Sequence, residues 1–188
     1  LPATMSDTII HTRRLTLRPW RESDAETLYR YAKDPAVGTP AGWPAHRSAA
    51  ESLDVIRTVF SAPEVYAVVP KPSDEPVGSC GIMTGDTLHS ACMGSDDAEI
   101  GYWIAVPYWG QRLIPEAVDA LLERCFRHLG RTTVWIGYYD GNDKSRRVAE
   151  KCGFEYHHTA PPAPSPLGDI RTEHFMRLTK ERYERSRR

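Results

Sequence analysis

The residues best suited to chemistry lie between Ala98 and Leu122, AEIGYWIAVPYWGQRLIPEAVDALL, where a strand pattern passes through Tyr-Trp-Gly-Gln-Arg into a helix. Ala98 to Val106 is rich in β-branched and aromatic residues, and Pro107 cannot extend a ladder. From Ile114 the apolar side chains of Ile114, Ala117, Val118, Leu121 and Leu122 fall at helical spacing. A helix starting near Ile114 leaves its first backbone N–H groups without intrahelical partners. They point, with the positive end of the helix dipole, back over Gly110, Gln111 and Arg112, where a phosphate could accept them. With Leu113 and Ile114 completing the turn, the segment is expected to cradle a pyrophosphate. A second chemical feature is acidic. Glu99 stands on the strand that enters this turn, and alternation puts it on the face of residues 101, 103 and 105, away from Ile100, Tyr102, Ile104 and Val106. It therefore need not lie in the apolar core, and reads as a base or simply as a solvated carboxylate. Asp96 and Asp97 precede it and could attract a cation.

Further on, Asn142 and Ser145 are three apart at the start of a helix, where Asn142 is a good N-cap. Tyr138 and Tyr139 end the strand before them, so one of the two hydroxyls is a candidate proton donor. Arg146, Arg147 and Lys151 give that helix positive charge, which would suit a phosphate and equally a solvated face.

These residues need a frame. Thr8 to Arg18 alternates β-formers with polar residues and reads as a first strand, and Ser23 with Glu26 is a capping-box start for a helix through Tyr31. Pro35, Gly38, Pro40, Gly42 and Pro44 indicate a loop, followed by a helix from Ser48 to about Phe60. Trp43, in that loop, either plugs the core or walls a substrate cleft. Val65 to Val69 and Pro76 to Met83 read as strands joined by a Lys-Pro-Ser-Asp-Glu turn, and Thr84 to Asp97 is polar. The helix from Ile114 ends near Leu129-Gly130, Thr132 to Tyr139 is a strand, and a helix from Gly141-Asn142 to Lys151-Cys152 stops at Gly153. Phe154 to Thr159 and Arg171 to Leu178 are closing strands around a proline-rich loop, Ala160 to Gly168. Strands grouped early, then strand and helix in alternation, indicate an α+β domain with a mixed sheet.

The turn at Tyr108, Trp109 and Gly110, with Glu116 and Ala117 beyond it, resembles the acyl-CoA-binding motif of the GNAT N-acetyltransferases, in the RimJ/RimL-type branch. Asn142-Asp-Lys-Ser145 and Glu150-Lys-Cys-Gly-Phe154 resemble two further motifs of that family, in the right order. The resemblance covers nearly the whole chain. It implies a mostly antiparallel central sheet that splays after its fourth strand, with helices on both faces. The pantetheine arm of acetyl-CoA would pair with backbone from Trp103 through Ile104, Ala105 and Val106, and the Val106 amide would be an oxyanion donor. The pyrophosphate would lie on Gly110, Gln111, Arg112, Leu113 and Ile114. Asn142 and Ser145 would approach the pantetheine and sulfur, Glu99 would be the leading base, and Ser145, then Tyr138, would protonate the departing thiolate. The implied activity is direct acetyl transfer to a primary amine, either a protein N-terminus or a small molecule, without a covalent enzyme intermediate. The family pattern is broken where Arg112 replaces the second loop glycine, Ile114 an alanine and Pro115 a threonine. Pro115 is tolerated in a first helical turn. Arg112 carries a Cβ that resists positive φ, so either affinity falls or its guanidinium supplies a charged contact instead. These departures motivate the alternative of a catalytically weak CoA-binding or regulatory protein. A polyamine or antibiotic acetyltransferase would share the cofactor and differ in the acceptor.

The chain has 188 residues, enough for one domain burying roughly 70% of its unfolded surface. Its net charge of −1 and 26% charged residues describe a soluble globular protein and argue against nucleic-acid or membrane partners. No apolar run approaches the roughly 20 residues that span a bilayer, so a cytoplasmic location is expected. A monomer or homodimer is expected, with residues 1–7 disordered or foreign to the protein, Met5 as the natural start, and 179–188 a frayed helical tail. Cys80, Cys92, Cys125 and Cys152 have neither zinc nor disulfide spacing, and no metal is expected. His157 and His158 are adjacent on a strand, which should send them to opposite faces.

Overall fold

A computed structural model describes residues 8–188; the expectations for residues 1–7 and Met5 lie outside the described residues. The strands and helices are β1 (Ile10–His11), β2 (Leu15–Arg18), α1 (Ala25–Ala32), α2 (Pro35–Gly38), α3 (Ala49–Thr58), β3 (Val65–Pro70), β4 (Gly78–Met83), β5 (Asp97–Ile104), α4 (Leu113–Glu123), β6 (Thr133–Tyr139), α5 (Asp143–Lys151), β7 (Glu155–Thr159), β8 (Ala163–Pro164), β9 (Ile170–Arg171), β10 (Glu173–Thr179) and α6 (Lys180–Arg185). The α+β class expected from the order of elements is observed. The residues gather into two compact units, the first running up to Gly81 and adding Tyr102–Ala117, the second made of Ile82–Gly101 and Val118–Arg188.

In the first unit β1, β2, β3 and β4 pair antiparallel in sequence order. Beside β4, the Ala105 amide donates to the Val77 carbonyl at 2.8 Å, which fixes the end of β5. The core joins Trp20, Leu28, Ile56, Ala67 and Val69, with Trp43, Phe60 and Trp103 packed against it. Trp43 is half-buried and packs against this core, with its ring 5.8 Å from that of Trp103. Gly38 makes the space, since a Cβ there would lie 2.4 Å from the Trp43 ring.

Three local expectations in this unit are corrected. The strand expected over Thr8 to Arg18 is two strands around a turn, because Thr12 bonds Leu15 through both its amide and its hydroxyl. Alternation continues across such a turn and does not reveal it. The helix expected to start at a Ser23 capping box opens instead on a 3₁₀ turn, Glu22–Asp24, with the Asp24 carboxylate accepting from the Arg21 amide at 2.8 Å. The loop expected at Pro35 to Pro44 contains α2, capped by the Asp34 side chain on the Ala36 amide, and a 3₁₀ turn at Thr39–Ala41.

In the second unit β5 runs parallel to β6 over Asp97–Glu99 against Thr133–Trp135, and β6 pairs antiparallel with β10 along its whole length, from Thr133↔Thr179 to Tyr139↔Glu173. β10 pairs in turn with β7, and its register shifts between Phe175 and Met176. That bulge overturns the expectation for His157 and His158. One extra residue in a strand breaks the two-residue alternation, and both imidazoles face the Trp135 ring, with their Nδ1 atoms 2.8 Å apart. The proline-rich loop contains β8, which pairs antiparallel with β9 just beyond it, so the strand expected from Arg171 is split into β9 and β10. The tail is not frayed: Tyr183 of α6 is 3% exposed and its ring lies 4.8 Å from that of Phe126. No helix among the described residues is long and apolar enough to cross a membrane.

Candidate active site

The turn from β5 to α4 belongs to the first unit. A 3₁₀ turn at Val106–Tyr108 follows the strand, and the Trp109 indole N–H donates back to the Ile104 carbonyl at 3.0 Å. Gly110 then takes φ +76° and Arg112 φ +58°, with Gln111 between them, and α4 begins at Leu113. Left-handed residues interspersed in a loop make the concave run of amides that binds anions, here at a helix N-terminus. A Cβ at Gly110 would meet nothing within 4 Å, so its glycine serves conformation rather than space. Leu113 and Ile114 bury their side chains, at 5% and 4% exposure, and can offer a ligand only backbone. Of the strand residues expected to pair with a pantetheine arm, the Ala105 N–H is already spent on Val77.

The loop is braced from the β1–β2 turn, a support that sequence reading missed. Glu116, in the first turn of α4, accepts from the Thr12 hydroxyl and the Arg14 amide, both at 2.7 Å, and from Arg14 Nε at 2.6 Å. The other two guanidinium nitrogens of Arg14 donate to the carbonyls of Gln111, at 2.9 Å, and Arg112, at 3.2 Å. Burial pushes the Glu116 carboxyl up, but the hydrogen bonds from Thr12 and Arg14 outweigh it and hold the group below its ordinary value. Arg14 and Glu116 are 102 positions apart, and no local pattern could have joined them.

The second unit carries the acidic groups. Glu99 is 3% exposed, which excludes the reading of a solvated strand carboxylate. Its burial is tolerable because it is fully engaged: one oxygen accepts from the His89 amide and the other meets His89 Nδ1, both at 3.0 Å. That hydrogen bond lifts the His89 pKa above its ordinary value, against the opposing effect of partial burial. A second carboxylate, Glu173 at the start of β10, was not singled out from sequence. Burial, and then the neighbouring charge of Glu99, push its pKa up, with His89 offsetting part of the rise. Its side chain lies over Gly137 of β6, where a Cβ would come 2.6 Å from Glu173 Oε1 and 3.0 Å from the Phe175 ring. Gly137→Ala should therefore disturb both residues and cost about 1–3 kcal/mol of stability, measured as a lowered urea midpoint; an unchanged midpoint would mean that β6 and β10 separate without strain.

Asn142 has the capping role, its side chain accepting from the Ser145 amide at 3.3 Å at the start of α5. The Tyr138 ring lies 5.2 Å from that of His174, and burial raises its pKa, so its hydroxyl stays protonated near neutrality. His174 in turn meets Asp140 and Thr159 at 2.8 Å each, and His158 meets Ser90 at 3.1 Å. Asp97, expected on the loop before the strand, opens β5 and accepts from the Trp135 indole and the Gly94 amide. Burial pushes Cys152 up to about 12 and raises Cys80 as well, so both are poor nucleophiles. Among the described residues no group of three or more His, Cys, Asp or Glu could hold a metal ion.

Residues 14–155 match the acetyltransferase (GNAT) domain family. The chain is 25% identical to p20 of Bacillus licheniformis, an uncharacterized N-acetyltransferase, over 78% of this chain and 82% of the relative. A Vibrio cholerae structure, provisionally described as a ribosomal-protein-serine acetyltransferase, superposes with a TM-score of 0.76 at 25% identity, over 94% of this chain and 99% of that one. The microcin C7 self-immunity acetyltransferase MccE, whose structure contains acetyl-CoA and AMP, superposes with a TM-score of 0.73 at 18% identity, over 89% and 93% of the two chains.

Proposed function

Because the chain belongs to the GNAT acetyltransferase family and is an acyltransferase, we propose that it moves the acetyl group of acetyl-CoA directly to the α-amine of a protein N-terminus, as the RimJ/RimL-type branch does. The observation that carries this reading is the loop with left-handed Gly110 and Arg112 opening on α4, a backbone built for a pyrophosphate. Gly110, Gln111 and Arg112 with the first amides of α4 would hold the two phosphates, and Ile104 and Val106 would offer backbone to the pantetheine arm.

Acetyl-CoA supplies an activated thioester, so the protein's own residues have to orient the amine, take its proton and protonate the departing sulfur. An α-amine has a pKa of about 7.7–8.0 against about 10.4 for lysine, which makes its deprotonation roughly 3 kcal/mol easier at neutral pH and leaves a carboxylate adequate as base. Glu99 was the first candidate from sequence. Its two oxygens are held by His89, whereas Glu173 has a raised pKa and makes no hydrogen bond through its side chain among the described residues. Glu173 is therefore the proton acceptor in this reading, and Glu99 is the charge that tunes it and attracts the ammonium. Tyr138, kept protonated, and Ser145 are the candidate donors to sulfur.

Calorimetric titration with acetyl-CoA, followed by an acetylation screen of N-terminal serine peptides against polyamines and aminoglycosides, tests the proposal. Micromolar one-to-one binding with transfer to the peptide α-amine is the expected result. Binding without transfer to any amine would instead favour a regulatory CoA-binding role, and preferential polyamine or aminoglycoside turnover a small-molecule acceptor.

A further inference from the structure

Arg112 is not a residue that takes φ +58° willingly. Something outside the loop must hold it there, and the five hydrogen bonds among Thr12, Arg14, Gln111, Arg112 and Glu116 are the contacts placed to do so. The Arg14 guanidinium grips the carbonyls on either side of the Arg112 Cα, those of Gln111 and Arg112, while its Nε and backbone amide are anchored on Glu116 of α4. With those two carbonyls turned toward Arg14, their orientation is set before any ligand arrives. The Arg112 side chain, by contrast, is exposed.

We propose that Arg14 and Glu116 are positioning residues for coenzyme A: their clamp holds Arg112 in the left-handed conformation that a glycine would adopt unaided, so that the loop keeps its anion-binding shape and gains an outward guanidinium for the phosphates. The clamp makes the arginine compatible with the loop, and a glycine at 112 should make the clamp dispensable. This inference rests on the pyrophosphate reading of the loop.

The test is a double-mutant cycle read by calorimetry with coenzyme A, with amide hydrogen exchange of residues 110–114 in the ligand-free protein as a second readout. Arg14→Gln should weaken coenzyme A binding about tenfold in the parent and no more than about twofold in the Arg112→Gly background, a coupling within the range for contacting residues. Arg14→Lys should behave like Arg14→Gln, because one ammonium cannot bridge two carbonyls and a carboxylate, and it serves if the glutamine variant folds poorly. Exchange in the loop should rise in Arg14→Gln and in Arg14→Lys without ligand. Equal losses of affinity in both backgrounds, or exchange that ignores Arg14, would overturn the clamp. A parent that fails to bind coenzyme A while Arg14 still controls loop exchange would sustain the clamp and defeat the pyrophosphate reading.

Discussion

If Glu173 is the base proposed above, Glu173→Gln is expected to lower turnover about a hundredfold or more, the scale of losing a general base, and to leave acetyl-CoA affinity nearly unchanged because no residue of the pyrophosphate loop is altered. The sign of the pH dependence follows from the raised pKa of Glu173. A base must be ionised, so the parent rate falls as pH drops through that raised value. Two ionisable groups bear on it: Glu99 from β5, which raises it further, and His89 from the loop before β5, which offsets part of the rise. Glu99 is the largest charge contribution, so Glu99→Gln should move the acid limb of the rate profile to lower pH. The same shift has a consequence for stability. A carboxyl whose folded pKa is raised favours folding most when protonated, and that advantage is lost as pH rises through the folded value. Glu173→Gln should therefore melt higher than the parent at neutral pH, with the difference vanishing in acid. An inactive variant that melts lower at every pH would assign Glu173 a structural role, and full activity would remove it from the mechanism.

Asp24→Ala should cost about 3 kcal/mol, because it leaves a buried guanidinium with only the exposed Asp74 carboxylate, 3.3 Å from its Nε, as ionic partner. Arg18 and Asp24 side chains are 3% and 7% exposed, and they pair through two hydrogen bonds of 2.8 and 2.9 Å. Burial alone would depress the Arg18 pKa, but Asp24 and then Asp74 outweigh it and raise it. Arg18 also donates to the carbonyls of Pro19 and Asp74, so the pair ties β2 to the start of α1 and to the β3–β4 turn. Against a native stability of about 5–15 kcal/mol, this loss would leave a large unfolded fraction, visible in urea or thermal denaturation. Replacing both partners, Arg18→Met with Asp24→Leu, should cost much less than Asp24→Ala, since no charge is then left unpaired. A loss of under about 1 kcal/mol for Asp24→Ala would place the pair in the class of solvated surface bridges.

The helices and the main strands were legible because their causes are local. Ser48 caps α3 and accepts from the Glu51 amide, Asn142 caps α5, Gly153 ends α5 at φ +88°, and Gly130, at φ +65°, follows the π turn, Arg124–His128, that continues α4. Where a local signal had a competitor, the reading failed. Thr12 turned an alternating run back on itself, Asp24 bonded the Arg21 amide of a preceding 3₁₀ turn where a Ser23 capping box was expected, and the bulge at His157 in β7 put His157 and His158 together.

The sequence by itself determined the strand-to-helix turn at Gly110, the motif order that identifies the family, and the placement of Glu99 on β5. The turn and the strand depend on residues within one or two turns of each other, where chain geometry leaves few choices, and the motif order needs only the identities of residues along the chain. Only the tertiary structure decided that Glu99 is engaged by His89, that Glu173 stands over Gly137, and that Arg14 reaches Glu116 and the carbonyl of Arg112. Those partners lie 10 to 102 residues apart in the chain. Whether a carboxylate is a solvated ornament, a locked charge or a raised base depends on burial and on neighbours brought by other strands, and neither quantity is written in local spacing.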